Sequence, residues 1–158
     1  MRKEDLIRQF QLLPHPEGGY YRETWRSTEK VATTRGSRSA GTTIYFLLES
    51  GNFSAFHRLQ SDEAWYFHLG SAVNIYLIYP DGEAATIQLG SDLNHQHLQV
   101  ILPAGTWFAA ETIQSNSYTL VSCSVSPGFE FQDFELADKE ELAAQYPDHR
   151  QLIERFCR

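Results

Sequence analysis

From residue 42 to residue 136 the chain runs as short β-prone stretches divided by turn signals, and this alternation constrains its fold more than any other feature. Residues 42–48 stop at Ser50-Gly51-Asn52. Residues 53–59 and 63–69 follow, separated by Gln60-Ser61-Asp62, and 73–79 ends at Pro80-Asp81-Gly82. Residues 84–89, 97–102, 107–110, 117–125 and 129–136 complete the series. Many short strands without βαβ alternation predict a sandwich or jelly-roll barrel. The aromatic content of 13% agrees, since aromatic residues favour sheets and pocket walls.

The flanks read differently. Residues 3–12 predict a short amphipathic helix with Leu6, Ile7 and Phe10 on one face, ended by Pro14. Pro16-Glu17-Gly18-Gly19 predicts a tight turn, and 20–25 a strand. Residues 26–41 are polar and without period, and predict a long loop that orders over a site or against a neighbour. Their basic residues alternate with acids and hydroxyls, as on a solvated surface. A helical tail starts near Lys139, breaks at Pro147 and carries an apolar stripe of Leu152, Ile153 and Phe156. A chain of 158 residues predicts one domain spanning 1–158.

Charge and composition exclude several classes. A net charge of −7 argues against nucleic acid, which draws on clustered Lys and Arg. No run approaches the roughly 20 apolar residues of a membrane helix, and the N-terminus has no signal-like stretch. Cys123 and Cys157 form neither a disulfide framework nor a metal spacing. The expectation is a cytoplasmic protein with reduced thiols.

The chemistry concentrates between Gly51 and Gly70. Five residues separate Gly51 from His57, three separate Leu59 from Glu63, and six separate Glu63 from Gly70. Strand alternation would place Phe53, Ala55, His57 and Leu59 on one face, and Glu63, Trp65, Phe67 and Leu69 on one face of the next strand. Pairing those strands across the intervening turn would bring His57 to Glu63. Such a pair serves as part of a metal site, as an acid–base couple or as a recognition element. It serves equally as a core histidine satisfied by a carboxylate, with no chemistry.

This spacing resembles the first motif of the cupins, barrels in which two histidines and a glutamate hold a metal. Leu59 stands where the second histidine would be. Pro103-Ala104-Gly105 resembles the turn of the second motif, where Phe108 occupies the histidine position. With two ligands replaced by apolar side chains, no metal or other cofactor is expected. A narrower resemblance rests on His15-Pro16-Glu17-Gly18-Gly19-Tyr20-Tyr21-Arg22-Glu23-Thr24, residues 41–48, His57-Arg58-Leu59 with Asp62-Glu63, and residues 103–108. Together, from Leu13 to about Phe134, these are similar to the DUF985 (cupin-5) family. The resemblance implies a jelly-roll β-barrel, commonly paired as a homodimer, with no settled reaction. Structural kin include germins, seed-storage proteins and metal-independent dTDP-sugar 3,5-epimerases.

The expected fold is therefore an all-β cupin-type jelly-roll barrel with a short N-terminal helix and a helical C-terminal tail. Its expected function is to bind a sugar-like or heterocyclic small molecule inside the barrel, with metal-independent isomerase or epimerase chemistry. His57 would be the general base and Glu63 its orienting partner. Tyr45, Trp65 and Phe108 would hold the ring, or else simply fill the barrel. Arg22 would anchor an anionic group or sit on the surface; Glu111 would be a buried acid, and Glu17 is a further polar candidate. The alternatives are a metal-dependent cupin enzyme with an unforeseen third ligand, and a non-enzymatic sensor or storage-type barrel. His95 and His97 read as exposed, His68 as outward-facing, and His149 has no evident partner.

Overall fold

The computed structural model describes residues 1–158. Helix α1 (Lys3–Gln9) opens the chain, with Glu4 and Asp5 at its positive end and Leu6 buried. Strands β1 (Leu13–Pro14), β2 (Tyr20–Arg26), β3 (Lys30–Thr33), β4 (Gly36–Ser39), β5 (Thr42–Glu49), β6 (Phe53–Leu59) and β7 (Asp62–Gly70) follow. After them come β8 (Val73–Ile78), β9 (Ala84–Leu89), β10 (Gln99–Leu102), β11 (Trp107–Thr112), β12 (Tyr118–Ser126) and β13 (Phe134–Leu136). Helices α2 (Lys139–Gln145) and α3 (Arg150–Arg155) close the chain. No helix is long and apolar enough to cross a membrane.

Two sheets face each other. One has the order β1-β2-β5-β12-β7-β10 and the other β13-β6-β11-β8-β9, with antiparallel pairing throughout. The sheets keep separate edges, so the expected all-β architecture is present as a two-sheet sandwich without hydrogen-bonded closure into a barrel. Strand β12 shows why the layers form: Val121 and Cys123 enter the inner core, while Leu120 turns outward beneath α1. Phe46, Trp65, Ile75, Leu77, Phe108 and Val121 fill the interior, each contributing about 1.5–3 kcal/mol by leaving water. Phe56, Trp107, Ile153 and Phe156 pack α2 and α3 onto the outside of the five-stranded sheet.

Three local expectations are corrected. Residues 26–41 are not a long loop: β3 and β4 form a hairpin, and Arg38 is buried against Asp133 rather than solvated. Residues 129–136 form a 3-10 turn (Phe131–Asp133) before only three residues of strand. Strands β6 and β7 do not pair with each other; the turn between them carries the chain from one sheet to the other.

A β-bulge in β6 matters most for the site. His57 stands opposite Phe108 and Ser54 opposite Ala110, so three steps on β6 answer two on β11. The extra residue reverses the alternation. Phe53 and Phe56 pack outward under α3, while Ser54 and His57 both turn inward. The expectation that Phe53 shares the His57 face fails for this reason.

Candidate functional site

A cavity of about 320 Å³ opens at one end of the sandwich, near the small end of the range for small-molecule sites. Its polar floor is His15, Glu17, His57 and Glu63; its apolar wall includes Tyr21, Ile44, Leu59, Val125 and Phe134.

Glu17 organises the floor. The turn that carries it closes through the His15 N–H to the Gly19 carbonyl (2.9 Å) and the Gly18 N–H to the His15 carbonyl (3.0 Å). The Glu17 carbonyl accepts from the Ala55 N–H (2.8 Å), which ties the turn to the bulged stretch of β6. Glu17 Oε1 accepts from the Ser54 hydroxyl (3.0 Å), and Oε2 lies 2.9 Å from His57 Nε2. His57 Nδ1 lies 2.7 Å from the Ala55 carbonyl oxygen. A carbonyl oxygen only accepts, so Nδ1 carries a proton, and Nε2 faces a carboxylate. Burial opposes both charges, but mutual attraction and the shared hydrogen bond outweigh it. The His57 pKa rises above its ordinary value and that of Glu17 falls below its own. Both shifts favour the imidazolium–carboxylate form of this pair on the cavity floor.

Glu63 sits in the opposite electrostatic situation. Burial pushes its pKa up to about 7; His57 pulls it down and the Glu17 carboxylate pushes it up. The Trp65 indole N–H donates to Glu63 Oε1 (3.1 Å), while the buried Oε2 has no hydrogen-bond partner. The neighbouring Cys123 thiol is held well above its usual pKa, first by burial and then by the two carboxylates. It is an inert wall rather than a nucleophile.

His15 lies on the same floor, its side chain only 7% exposed. The Glu17 N–H donates to His15 Nδ1 (3.1 Å), so Nδ1 accepts and the proton resides on Nε2. Burial lowers the His15 pKa; the Glu17 carboxylate, 3.7 Å from Nδ1, opposes this and the positive charge of His57 adds to it, so the net shift favours the neutral ring. The ring is wedged against Tyr21, Phe46 and Phe134, with centroids 4.7, 6.0 and 5.8 Å away.

The structure brings His57 and Glu63 to one cavity, although from different sheets and without a direct hydrogen bond between them. Of the other expected residues it places Glu17 on the floor and Arg22 at the border, and leaves Tyr45, Trp65, Phe108 and Glu111 outside the cavity. Tyr45 faces outward from β5 and packs on Phe10 (4.8 Å), so it cannot hold a ligand inside. Glu111 faces outward from β11, where Tyr76 and Arg155 bind it. Trp65 and Phe108 are core residues behind the floor, touching Glu63 and His57 respectively rather than lining the cavity. Arg22 borders the cavity, but it stands opposite the outward-facing Tyr45, which puts its side chain on the outer face. A bulge at Thr24 turns Arg26 inward instead. There Arg26 is engaged by both oxygens of Glu23, by Glu130 and by the Phe129 carbonyl.

Glu17, Ser54 and His15 are the partners that strand alternation missed. Only the Glu-Gly-Gly turn signalled Glu17, and nothing in the sequence signalled the bulge that supplies Ser54.

The sandwich and its motif positions define a cupin. A family model described as "Cupin superfamily (DUF985)" matches residues 4–137, and the chain belongs to that family. Over 146 residues it is 31% identical to the uncharacterized protein YML079W of Saccharomyces cerevisiae, covering 82% of this chain and 72% of that one. The structure of protein SO0799 from Shewanella oneidensis superposes with a TM-score of 0.93 at 42% identity, over 100% of this chain and 98% of that chain. A hypothetical protein from Leishmania major gives 0.94 at 36% identity, over 99% of each chain. Oxalate decarboxylase from Bacillus subtilis shares the fold alone, with a TM-score of 0.58 at 15% identity over 90% of this chain and 36% of that one.

The residues present do not fit a cupin metal. His57 spends one ring nitrogen on a carbonyl and the other on Glu17, and Leu59 lines the cavity where a second imidazole would be needed. Phe108 packs on His57 at 4.1 Å in the position of a further ligand. No three His, Cys, Asp or Glu side chains converge as metal ligands would.

Proposed function

We propose that the cavity binds a small ring-shaped or sugar-like molecule and moves a proton on it without a metal, as an isomerase or epimerase does. Glu63 carries this reading: an enclosed carboxyl on the cavity wall, with one oxygen unpartnered and a pKa near the pH at which it would work. A carboxyl poised in this way takes and returns a proton at neutral pH, whereas an ordinary carboxylate is too weak a base. The role of base therefore moves from His57 to Glu63. His57, locked to Glu17, supplies a fixed positive charge beside the reacting group. The cavity volume suits a single ring. Trp25 and Ile101, exposed on the outer face of the six-stranded sheet, support its pairing with a second copy.

Native mass spectrometry of protein purified gently from its own host tests the reading. The expected result is a small organic molecule bound to the wild type and lost from both Glu63→Ala and His57→Ala. Its turnover in D2O should place deuterium on carbon. A tightly bound molecule that never exchanges or reacts would instead make the protein a sensor or store. A stoichiometric transition metal lost with His57→Ala would replace the reading altogether.

A further inference from the structure

Two polar groups on the cavity floor lack protein partners, and they are complementary. Glu63 Oε2 has no hydrogen-bond partner, and the Cys123 thiol beside the carboxyl is a weak donor. His15 Nε2–H is a donor with no acceptor, because the Glu17 N–H occupies Nδ1 and fixes the tautomer. Glu63 and the His15 side chain are each 7% exposed, and both residues line the same cavity. Leaving the buried Glu63 Oε2 unpaired is costly unless a ligand donates to it, and His15 Nε2 makes no hydrogen bond within the protein that would compete with a ligand.

We infer that His15 is the second catalytic residue of this cavity, a neutral imidazole whose Nε2–H holds the carbonyl oxygen of a ring ketone while Glu63 removes a proton from the adjacent carbon. This assignment rests on the acid–base reading of the cavity and adds the substrate class to it. The step balances within the site. The C–H electrons form a carbon–carbon double bond, the carbonyl π electrons move to oxygen, and the proton passes to the Glu63 carboxylate. Return of that proton to the same carbon racemises it or exchanges it with solvent hydrogen. The charge gathering on oxygen meets the His15 N–H and the nearby His57 imidazolium.

The tautomer lock is what suits His15 to this work. A neutral imidazole donates to an oxygen of developing charge without having to lose a competing proton elsewhere, and its aromatic setting holds it still. A structural histidine of the core would instead direct both nitrogens at protein groups.

Tetrahydropyran-4-one is a suitable probe, with tetrahydropyran as the carbonyl-free control. In D2O, NMR reads deuterium entering the carbons beside the carbonyl. Wild-type protein should accelerate this exchange; His15→Phe should slow the catalysed rate about a hundredfold. His15→Gln, which keeps an N–H donor, should recover part of it. In 15N spectra of the unliganded wild type, His15 should show protonated Nε2 and unprotonated Nδ1, and the ketone but not the control should shift Nε2. Wild-type exchange rates in His15→Phe, or a proton found on Nδ1, would overturn the inference and leave Glu63 as base. Exchange no faster in wild type than in Glu63→Gln would remove the acid–base reading, and this inference with it.

Discussion

Glu63 and His57 show how one buried floor sets two groups to opposite tasks. Glu17 favours the protonated form of His57 and, by the same charge, helps keep Glu63 protonated near neutrality. Glu63 also has a consequence for stability. Its carboxyl titrates near 4.5 when unperturbed and about 7 in the fold. Between those values the native protein keeps a proton that the unfolded chain has released, so stability falls as pH rises through this window and stays lower above it. The loss amounts to about 3 kcal/mol at most. Glu63→Gln removes it, so in urea unfolding this variant should gain on the wild type between pH 4 and pH 8. A constant difference across that range would show that Glu63 is ionised throughout. His57 and Glu63 were legible because their motif spacing survives in the sequence. Glu17 was visible only as a polar turn residue, because its partners Ser54 and His57 meet it through tertiary folding.

At the scale of elements, a turn and a hairpin build the site. Gly18 has φ +111°, and a Cβ there would lie 2.1 Å from the Phe53 carbonyl oxygen. Gly18→Ala should therefore cost about 2 kcal/mol or more and displace Glu17, measured as a lower urea midpoint together with a changed His57 ring titration by NMR. The β3–β4 hairpin acts from the other side. Arg38 donates to both oxygens of Asp133 at 2.8 and 2.9 Å, and so pins the segment whose Phe129, Phe131 and Phe134 line the cavity mouth. Arg38→Ala should speed amide exchange at Phe129 and Asp133 about tenfold, while the β8–β11 amides keep their protection. The strand series was readable from alternation and turns. What alternation could not supply were its interruptions: the bulges in β6 and β2 redirect Phe53, Ser54 and Arg26, and a bulge leaves no mark in residue type. The hairpin escaped for a related reason, since its strands are polar and are held by the ion pairs of Arg35 and Arg38 with Asp133 rather than by an apolar face.

The whole molecule is a sandwich partly clad on its outer faces, by α1 on one side and by α2 and α3 on the other. Strand β10 is left as an edge, with Leu98 and Ile101 exposed beside it. Cover by a second copy predicts a sedimentation mass twice that of the chain, reduced toward one chain by Ile101→Lys. A monomer at micromolar concentration would refute that pairing. The family frame conserves the architecture and motif positions, while Leu59 and the paired His57 take away the means of holding a metal. The cavity left by these changes is, on the function proposed above, an acid–base site. The most direct test of that function is the 13C NMR titration of the Glu63 side-chain carboxyl in the intact protein. A midpoint near 7 is the predicted result; a midpoint in the ordinary carboxylate range near 4 would contradict it, since Glu63 would then be a fixed charge unable to carry a proton at neutral pH.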